Sequence, residues 1–383
     1  MKVCLRPILF VIPALLLAAC ATPHGIAQSA PTPSAPAAAP AATPAATPAA
    51  APAAAPATAP VTAPVTAPQP EPPTPFDLER PDIVAWIAAV SARHAIPADE
   101  LRSLLAGGRR QPAILAAISR PAESVMTWWQ YSERLVVEQR IAEGAEFWRT
   151  HRARLEAVSA RTGVDAAYLV AIVGVESSYG RRAGTWRVLD ALMTLGFDYP
   201  RRSTFFLSEL EQFVLLARDE RLDLAATLGS YAGAMGAPQF MPSSYRRLAV
   251  DGSGDGRRDL FRNWDDVFSS VANYFVASGW KRGAPVLTEA TAPEAVFATL
   301  DRRNLDLKDT AASLRARDVR FDPTIPDDTP LILIPAEQRD GPGVRVGFAN
   351  FRVITRYNRS ILYAMAVHDL AEALRARVEA PAG

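Results

Sequence analysis

A nearly unbroken apolar run ends in a single acid in the segment Leu169-Val170-Ala171-Ile172-Val173-Gly174-Val175-Glu176-Ser177-Ser178-Tyr179-Gly180. The pattern predicts a buried helix over 166–176. A carboxyl that ends a buried helix loses hydration, which raises its pKa, and a general acid near neutral pH requires this. Gly180 permits a tight turn that opens the acid to a cleft. A buried ion pair with a neighbour such as Arg181 is the alternative interpretation, and these residues alone do not separate the two.

A glycine-rich segment further along the chain has the composition of a ligand-binding loop. It runs Gly229-Ser230-Tyr231-Ala232-Gly233-Ala234-Met235-Gly236-Ala237-Pro238-Gln239-Phe240-Met241-Pro242-Ser243-Ser244-Tyr245. Glycines and small side chains let a backbone approach a ligand closely, and Ser230 and Gln239 can hydrogen-bond a polar ligand. A tightly packed loop without a ligand is the alternative, and this segment alone leaves it open.

The apolar periodicity predicts a mainly helical body. Helices are expected over 82–94, 98–105, 142–162, 166–176, 207–217 and 265–277. Short β-like runs occupy 331–334 and 344–348, with the turn signal Asp340-Gly341-Pro342-Gly343 between them. Asn358 is expected to cap a final helix that ends near Val378. We therefore expect a mainly α fold of the α+β class, with a small β-rich insertion at about 285–355.

Five segments in order along the chain resemble the membrane-bound lytic murein transglycosylases of the B type. One is 174–180 and another is the glycine-rich segment. The other three are Tyr199-Pro200-Arg201-Arg202, Ser270-Val271-Ala272-Asn273-Tyr274-Phe275 and Arg356-Tyr357-Asn358-Arg359-Ser360-Ile361-Leu362-Tyr363-Ala364-Met365-Ala366-Val367. The resemblance covers about 76–380, and five motifs in the family's order are a specific signal.

This resemblance implies a goose-type lysozyme-like core at about 140–284 and 356–380, with an N-terminal helical region. It also implies cleavage of the β-1,4 bond between N-acetylmuramic acid and N-acetylglucosamine in peptidoglycan, without water, leaving a 1,6-anhydro-muramyl end. Glu176 then corresponds to the single catalytic acid and base. Ser230 corresponds to a residue that bonds the muramyl N-acetyl group or the catalytic carboxyl. The residues implied to contact the glycan or its peptide stems are Gln239, Tyr274, Tyr357, Asn358, Tyr363, Arg201 and Arg202.

One carboxyl is enough for the reaction that the resemblance implies, whereas most glycosidases use two. In that reaction Glu176 protonates the leaving oxygen, and the substrate's N-acetyl oxygen stabilises the anomeric carbon. The ionised Glu176 then removes the proton of the muramyl O6 hydroxyl, whose intramolecular attack has a large proximity advantage. No cofactor is needed for the chemistry. Two alternatives stay open: a hydrolytic muramidase of the same fold, and a non-catalytic peptidoglycan-binding scaffold.

Alternating oxygen donors over 251–259 indicate a structural calcium loop. The donors at positions 1, 3, 5 and 9 of an EF-hand-like pattern are Asp251, Ser253, Asp255 and Asp259. Position 7 contributes the carbonyl of Arg257, whereas position 12 holds Arg262 in place of the expected glutamate. From the residues alone, Asp265 or Asp266 can close the loop. The B-type resemblance favours Asp266. A metal-free Asp/Gly turn is the alternative.

The N-terminus is predicted to be a targeting segment rather than part of the fold. Residues 1–19 combine a short basic start with an apolar run shorter than the about 20 residues of a membrane-spanning helix, as is typical of a signal peptide. The end of that run, Leu17-Ala18-Ala19-Cys20, resembles a bacterial lipobox. It implies a lipid on Cys20 and, with Ala21 next, sorting to the outer membrane. An ordinary secretory signal is the alternative.

Residues 20–75 are predicted to form a stiff tether between that anchor and the folded part. The segment 21–75 holds 16 of the 33 prolines, and 21–70 has no Asp, Glu, Lys or Arg. We therefore expect a catalytic domain at 76–380 in the periplasm, held to the outer membrane through lipid. Its expected partners are peptidoglycan glycan strands and, as candidates, cell-wall synthases.

Composition argues against several other classes of function. A formal net charge of +1 gives no bulk basicity for nucleic-acid binding. Both cysteines, Cys4 and Cys20, precede the tether, so the folded part has no thiol chemistry. None of the four histidines has zinc-hydrolase spacing, and no Gly-x-Ser-x-Gly nucleophile motif occurs.

Overall fold

The computed structural model describes residues 71–119 and 126–380, and this part is mainly helical. Its helices are α1 Pro81–His94, α2 Ala98–Leu105, α3 Pro112–Ser119, α4 Trp128–Leu135, α5 Glu138–Thr150, α6 Arg152–Thr162, α7 Ala166–Ser177, α8 Val188–Asp198, α9 Ser203–Glu220, α10 Pro242–Leu248, α11 Trp264–Ala277, α12 Glu294–Phe297, α13 Ala311–Arg315, α14 Ala349–Tyr357 and α15 Ile361–Glu379. Its strands are β1 Thr74–Pro75, β2 Arg109–Arg110, β3 Trp186–Arg187, β4 Leu228–Gly229, β5 Leu287–Ala290, β6 Asp309–Thr310, β7 Pro330–Pro335 and β8 Val344–Gly347.

The predicted apolar helix is α7, and it lies at the centre of the core. Asp165 caps its N-terminus by accepting a 2.8 Å hydrogen bond from the Ala167 N–H. Every residue from Ala166 to Gly174 is buried, because α15, α5, α6 and α11 pack around the helix. Burial on all sides explains why the apolar run is nearly continuous rather than periodic.

Among the described helices, none alone is long and apolar enough to cross a membrane. Helices α6 and α7 meet that criterion only as a pair, and the chain bends by 116° between them.

The helix expected over 142–162 is wrong as a single element. The chain forms α5 and α6 instead, and His151 separates them with a non-helical backbone (φ −107°, ψ 15°). The His151 ring packs in an aromatic cluster with Phe147, Trp264 and Phe268. Tertiary packing of this ring therefore accompanies a break that the local apolar pattern did not predict.

The β-rich insertion is confirmed as a four-stranded antiparallel sheet in the order β5-β8-β7-β6. Alternation along β7 buries both faces of this sheet. Leu331 and Leu333 belong to a small separate core, whereas Ile332 and Ile334 belong to the main core. The region 285–355 is not purely β, because it also contains α12, α13 and most of α14.

The N-terminal boundary of the folded part lies slightly earlier than expected. The predicted signal peptide (1–19), Cys20 and the tether up to residue 70 lie outside the described residues. Thr74 and Pro75, assigned from sequence to the tether, pair as β1 with β2. Proline is compatible with this position because β1 has a neighbour on one side only.

The cap of the last helix also differs from the prediction. Ser360, not Asn358, is the N-cap of α15, and its hydroxyl accepts a 3.2 Å hydrogen bond from the Tyr363 N–H. Asn358 instead ends α14 and is exposed. Both residue types cap helices well, so sequence alone did not distinguish them.

Candidate active site

Glu176 lies in the last turn of α7. Directly after this helix the backbone turns sharply, and one side of the Glu176 side chain is left exposed. Ser178, Tyr179 and Gly180 all have positive φ angles of 49°, 62° and 82°. This turn folds the Tyr179 ring back over Gly174, where an added Cβ would lie 2.7 Å from Tyr179 Cε1. Such conformations are costly for residues other than glycine, and they concentrate at functional sites. The result is a half-buried carboxyl next to a rigid turn.

Arg181, named above as one candidate ion-pair partner of Glu176, pairs with a different acid. Arg181 forms its ion pair with Glu143 of α5. The Tyr179 hydroxyl donates a 2.8 Å hydrogen bond to the Arg140 carbonyl, which fastens the turn to the same helix.

Tyr363 of α15 contacts the acid directly. Its hydroxyl donates a 2.5 Å hydrogen bond to Glu176 Oε1. Burial, with the neighbouring Glu176 carboxyl as the next cause, raises the pKa of Tyr363 well above its ordinary value. The phenol is therefore neutral at physiological pH and acts as a hydrogen-bond donor to the acid.

Further aromatic rings extend the site from Tyr363. The rings of Tyr357 and Tyr363 stack at 6.5 Å, and those of Tyr274 and Tyr357 lie 4.6 Å apart. The Tyr357 hydroxyl donates to the Pro238 carbonyl at 2.6 Å. Burial, followed by the nearby Glu176 carboxyl, also raises the pKa of Tyr357. Within the described part of the chain, Glu176 is the only carboxyl that perturbs the pKa of Tyr357 or Tyr274.

The glycine-rich loop is fastened to the end of α7. The Ser177 hydroxyl donates a 2.6 Å hydrogen bond to the Ala237 carbonyl and accepts a 3.0 Å bond from the Gly180 N–H. Gln239 has a positive φ of 52°, and its Nε2 donates to the Ala183 carbonyl at 2.8 Å. These bonds hold the loop against the turn that follows the acid.

Ser230 is half-buried at the start of the same loop. Its Oγ accepts hydrogen bonds from the Ala232 and Ala234 N–H groups at 3.2 and 3.0 Å. The hydroxyl therefore retains its own proton for donation to a ligand. The loop is tightly packed, because a Cβ added at Gly229, Gly233 or Gly236 would lie 2.3, 2.5 or 2.5 Å from a neighbouring atom.

Three of the residues implied by the resemblance, Arg201, Arg202 and Asn358, are exposed at the surface. Arg201 and Arg202 lie in the short 3-10 helix 200–202, where the Arg202 guanidinium stacks over the Phe205 ring at 4.4 Å. Asn358 lies between α14 and α15. The structure thus gathers Glu176 and its three tyrosines, and leaves these polar residues at the surface.

The predicted calcium loop is closed by hydrogen bonds that its backbone N–H groups donate to its carboxylates. Asp266 is fully buried and accepts from the Gly252, Ser253 and Asp259 N–H groups at 2.9, 3.1 and 2.7 Å. Burial raises its pKa. Asp251 accepts from the Gly254 and Gly256 N–H groups, and the bond from Gly256 is the main cause that lowers the Asp251 pKa.

The predicted donors offer the all-oxygen chemistry that calcium prefers. Ser253, Asp255 and Arg257 are exposed, and Asp251 and Asp259 are half-buried. Over 71–119 and 126–380, however, no three acidic, histidine or cysteine side chains are grouped closely enough to hold a metal ion. The donor set fits the ion by chemistry but is not gathered, so the calcium site stays a prediction.

Sequence reasoning did not single out Tyr131 or Ser177. Tyr131 of α4 is buried, and its electrostatic interaction with Tyr363 contributes to the raised pKa of the Tyr363 hydroxyl. The two residues are far apart in sequence. Ser177 directly follows the acid, so its position was a usable signal for its bracing role. No local pattern marks Tyr131, because only the packing of α4 against α15 brings it there.

The fold and the site together define a class of protein. A mainly helical body carries one acid at the end of a buried helix, and tyrosines and a glycine-rich loop surround that acid. This is the arrangement of a lysozyme-like enzyme that cleaves a glycan.

Comparison with known proteins identifies the family. Residues 80–372 match the family described as "Transglycosylase SLT domain". Membrane-bound lytic murein transglycosylase B of Escherichia coli (strain K12) is 35% identical over 311 residues, which cover 78% of this chain and 84% of that protein. The chain belongs to this transglycosylase family, and it is a peptidoglycan lytic transglycosylase of the B type.

Two solved structures support the same conclusion. Catenated lytic transglycosylase SltB1 from Pseudomonas aeruginosa is 41% identical and has a TM-score of 0.74, covering 78% of this chain and 98% of that chain. Escherichia coli lytic transglycosylase Slt35 in complex with calcium is 34% identical and has a TM-score of 0.72, covering 80% and 96%. The lysozyme-like fold expected from the sequence is confirmed.

Proposed function

We propose that Glu176 is the only carboxyl that acts in the reaction, first as acid and then as base. The observation that carries this proposal is the setting of Glu176. It accepts the 2.5 Å hydrogen bond of Tyr363 at the turn that exposes it. Within the part of the chain described, it is also the only carboxyl that affects the pKa of Tyr357 and Tyr274. A hydrolytic enzyme of this fold needs a second carboxylate to activate water.

The reaction balances without water. The Glu176 carboxyl gives its proton to the glycosidic oxygen, and the bond from that oxygen to the muramyl anomeric carbon breaks. The substrate's N-acetyl oxygen stabilises the cationic carbon. The Glu176 carboxylate then takes the O6 proton, and O6 bonds to the anomeric carbon. The acid returns to its starting state, and the product carries a 1,6-anhydro ring.

Tyr363 positions the carboxyl during both steps. Its neutral hydroxyl donates to Oε1, and a hydrogen bond donated to a carboxylate favours the ionised form that ring closure needs. Tyr357 and Tyr274 extend the site as rings against which sugar faces can pack. Ser230 and Gln239 supply polar groups from the loop, with Ser230 directed to the N-acetyl group or the carboxyl. Contacts of Asn358, Arg201 and Arg202 with the glycan remain part of the proposal.

Mass spectrometry of the products tests this proposal. The full chain is incubated with purified peptidoglycan, and the molecular masses of the soluble muropeptides are measured before and after borohydride reduction. Products one water lighter than hydrolysed muropeptides, and resistant to reduction, support ring closure. Reducible muramic ends would show a muramidase and direct the search to a second carboxylate. Retained binding without products would support a scaffold.

Replacement of the acid completes the test. Glu176→Gln keeps the shape of the side chain and removes its proton transfer, so turnover should fall by about 10²- to 10⁴-fold while binding to peptidoglycan persists. Glu143→Gln is the matched control, because Glu143 pairs with Arg181 beside the same turn. Equal losses in the two variants would assign Glu176 a structural role instead.

We also propose that a calcium ion braces the loop 251–266. Slt35 was solved in complex with calcium. The proposed ligands are Asp251, Ser253, Asp255, the Arg257 carbonyl, Asp259 and Asp266. Asp266 is already oriented by three backbone N–H groups. The ion would fix the loop and would take no part in bond cleavage.

The proposed location is the periplasmic face of the outer membrane, with lipid on Cys20. Support comes from the lipobox-like sequence and from the membrane-bound relative in Escherichia coli. The proposed organisation is a signal peptide at 1–19, a lipidated tether from residue 20 to the start of β1, and a catalytic domain from β1 to residue 380. Cys20→Ala should move the protein from the membrane fraction to the soluble periplasmic fraction. An unchanged distribution would contradict the lipid anchor.

A further inference from the structure

A cationic cavity of about 570 Å³ opens beside Tyr274, between α10, α11 and the end of α14. We call it the arginine cavity, and its lining residues are Arg247, Leu248, Tyr274, Ala277, Ser278 and Arg356. The two charged groups in this lining are both guanidinium groups. Ala277 and Ser278 are small, which leaves room for a ligand between the two arginines.

The arginine cavity shares a tyrosine with the active site. Within the described residues, three charged groups affect the pKa of the Tyr274 hydroxyl. The guanidinium groups of Arg247 and Arg356 lower this pKa, and the carboxyl of Glu176 raises it. Burial is the main cause that raises the Tyr274 pKa. The Tyr274 hydroxyl donates a 2.7 Å hydrogen bond to the Arg356 carbonyl, which fixes the ring against the end of α14.

Neither arginine is neutralised by an acid in the part of the chain that the structure describes. Both side chains are exposed. Their helical neighbours differ, because Arg246 pairs with Asp219 at 3.0 Å and Arg352 pairs with Asp306 at 3.3 Å. Two uncompensated cations at one cavity favour the binding of an anion.

The positive charge continues beyond this cavity. Arg356 also lines an adjoining cavity of about 230 Å³, together with Arg352 and Arg359. Asp306 is the only acid in that second lining, and it already pairs with Arg352. The ligand that this surface favours is therefore an anion with more than one charged group, or a chain that carries several.

We propose that the arginine cavity binds a carboxylate of the peptide stem carried by the glycan strand. The inference rests on the proposed function, because that reaction supplies a strand whose muramyl units bear peptides. The backbone sugars of such a strand are uncharged at the cleaved bond, whereas the stems bear free carboxylates. A guanidinium group matches a carboxylate with two parallel hydrogen bonds.

The consequence is a preference for strands that still carry their stems. The arginine cavity connects to Glu176 through the ring contacts of Tyr274 with Tyr357 and of Tyr357 with Tyr363. A stem carboxylate held there fixes the register of the strand relative to the acid. Strands whose stem carboxylates are converted to amides lose this anchor and retain the contacts of their sugars.

Binding measured in the inactive Glu176→Gln background tests the proposal. The dissociation constant is determined for glycan strands with intact stems and for the same strands after their stem carboxylates have been converted to amides. Arg247→Gln and Arg356→Gln should each weaken binding to strands with free stem carboxylates about tenfold and leave binding to the amidated strands unchanged. Arg356→Lys keeps the charge but loses the two-pronged geometry, so its loss should be intermediate.

The matched control is Arg320→Gln, because Arg320 is exposed, lines neither cavity and has no ion pair among the described residues. Equal affinity of the parent protein for both strands, or an equal loss on both strands, would overturn the proposal. A loss of the same size in Arg320→Gln would show general charge attraction and overturn it too. A clear preference for stems without anhydro products would instead overturn the reaction and keep the cavity assignment.

Discussion

The hydroxyl of Tyr363 donates a 2.5 Å hydrogen bond to Glu176 Oε1, although 187 positions separate the two residues. The acid lies in the last turn of α7, and the tyrosine lies in the first turn of α15. These helices pack against each other in the core, so the orientation of the carboxyl depends on the packing of the whole body. Catalytic geometry and core stability are thus coupled at one contact.

Tyr363→Phe should lower kcat by about tenfold to a hundredfold with little change in KM. The substitution removes one hydrogen bond to a charged group, which contributes about 1.5–3 kcal/mol. The ring remains and keeps its packing, so the melting temperature should change little. Steady-state release of soluble muropeptides measures the effect.

Tyr168→Phe is the control for that experiment. It also removes a buried hydroxyl with a 2.7 Å hydrogen bond, here to His368 Nδ1. Its kcat should equal that of the wild type. If Tyr363→Phe also retained full kcat, the positioning role of Tyr363 would be ruled out.

Gly174→Ala should destabilise the protein even though alanine is the better helix former. Alanine favours a helix by about 1 kcal/mol over glycine. The added Cβ would lie 2.7 Å from Tyr179 Cε1, and overpacking of this kind costs about 1–3 kcal/mol. Chemical denaturation measures the net loss of unfolding free energy.

A double-mutant cycle isolates that clash. In a Tyr179→Ala background the ring is absent, so Gly174→Ala should become neutral or stabilising. Equal destabilisation in both backgrounds would mean that the Tyr179 ring is not the cause.

The wild type should lose stability as pH falls from about 6.5 towards 4 through His368. Burial, with smaller contributions from Arg345 and Arg375, lowers the pKa of His368 from 6.5 to about 4. Between pH 6.5 and 4, His368 is therefore protonated in the unfolded chain but neutral in the folded chain, so protonation favours unfolding in this range. The full contribution, about 3 kcal/mol, is present above pH 6.5.

Denaturation midpoints measured from pH 7 to pH 4 check the effect of His368. His368→Gln cannot take up this proton, so its stability should decline less steeply over that range. Parallel curves for the variant and the wild type would assign the acid sensitivity to other groups.

Calcium should raise the melting temperature of the wild type and leave Asp251→Asn unaffected. A ligand at a hundred times its dissociation constant stabilises the folded state by about 2.7 kcal/mol. Differential scanning calorimetry in EDTA and in calcium measures the shift. Asp219→Asn, at the exposed pair with Arg246, is the control and should respond as the wild type does. No shift in the wild type would favour the metal-free turn.

Sequence reasoning predicted the features that depend on neighbouring residues. The apolar run before Glu176 indicated a buried helix, and Gly180 indicated the turn, because both signals are local. The two β-like runs likewise became β7 and β8. Only the structure shows that Ser178 and Tyr179 share the left-handed conformation, which is uncommon for these residue types.

Features that depend on distant contacts were not predictable from the pattern. The break at His151 coincides with an aromatic cluster formed by α5 and α11. The helix α14 continues to Tyr357, so Asn358 is the C-cap of α14 and Ser360 is the N-cap of α15. Arg247 and Arg356 carried no signal, because exposed arginines are common and only the fold places these two at one cavity.

The late position of α15 has a consequence for the biosynthesis of the enzyme. Tyr363, which orients the acid, follows Glu176 by 187 positions, and α15 forms one side of the core around α7. A nascent or truncated chain that lacks this helix has the acid but not its partner. An enzyme able to damage the wall of its own cell therefore acquires its catalytic geometry only after α15 has been translated.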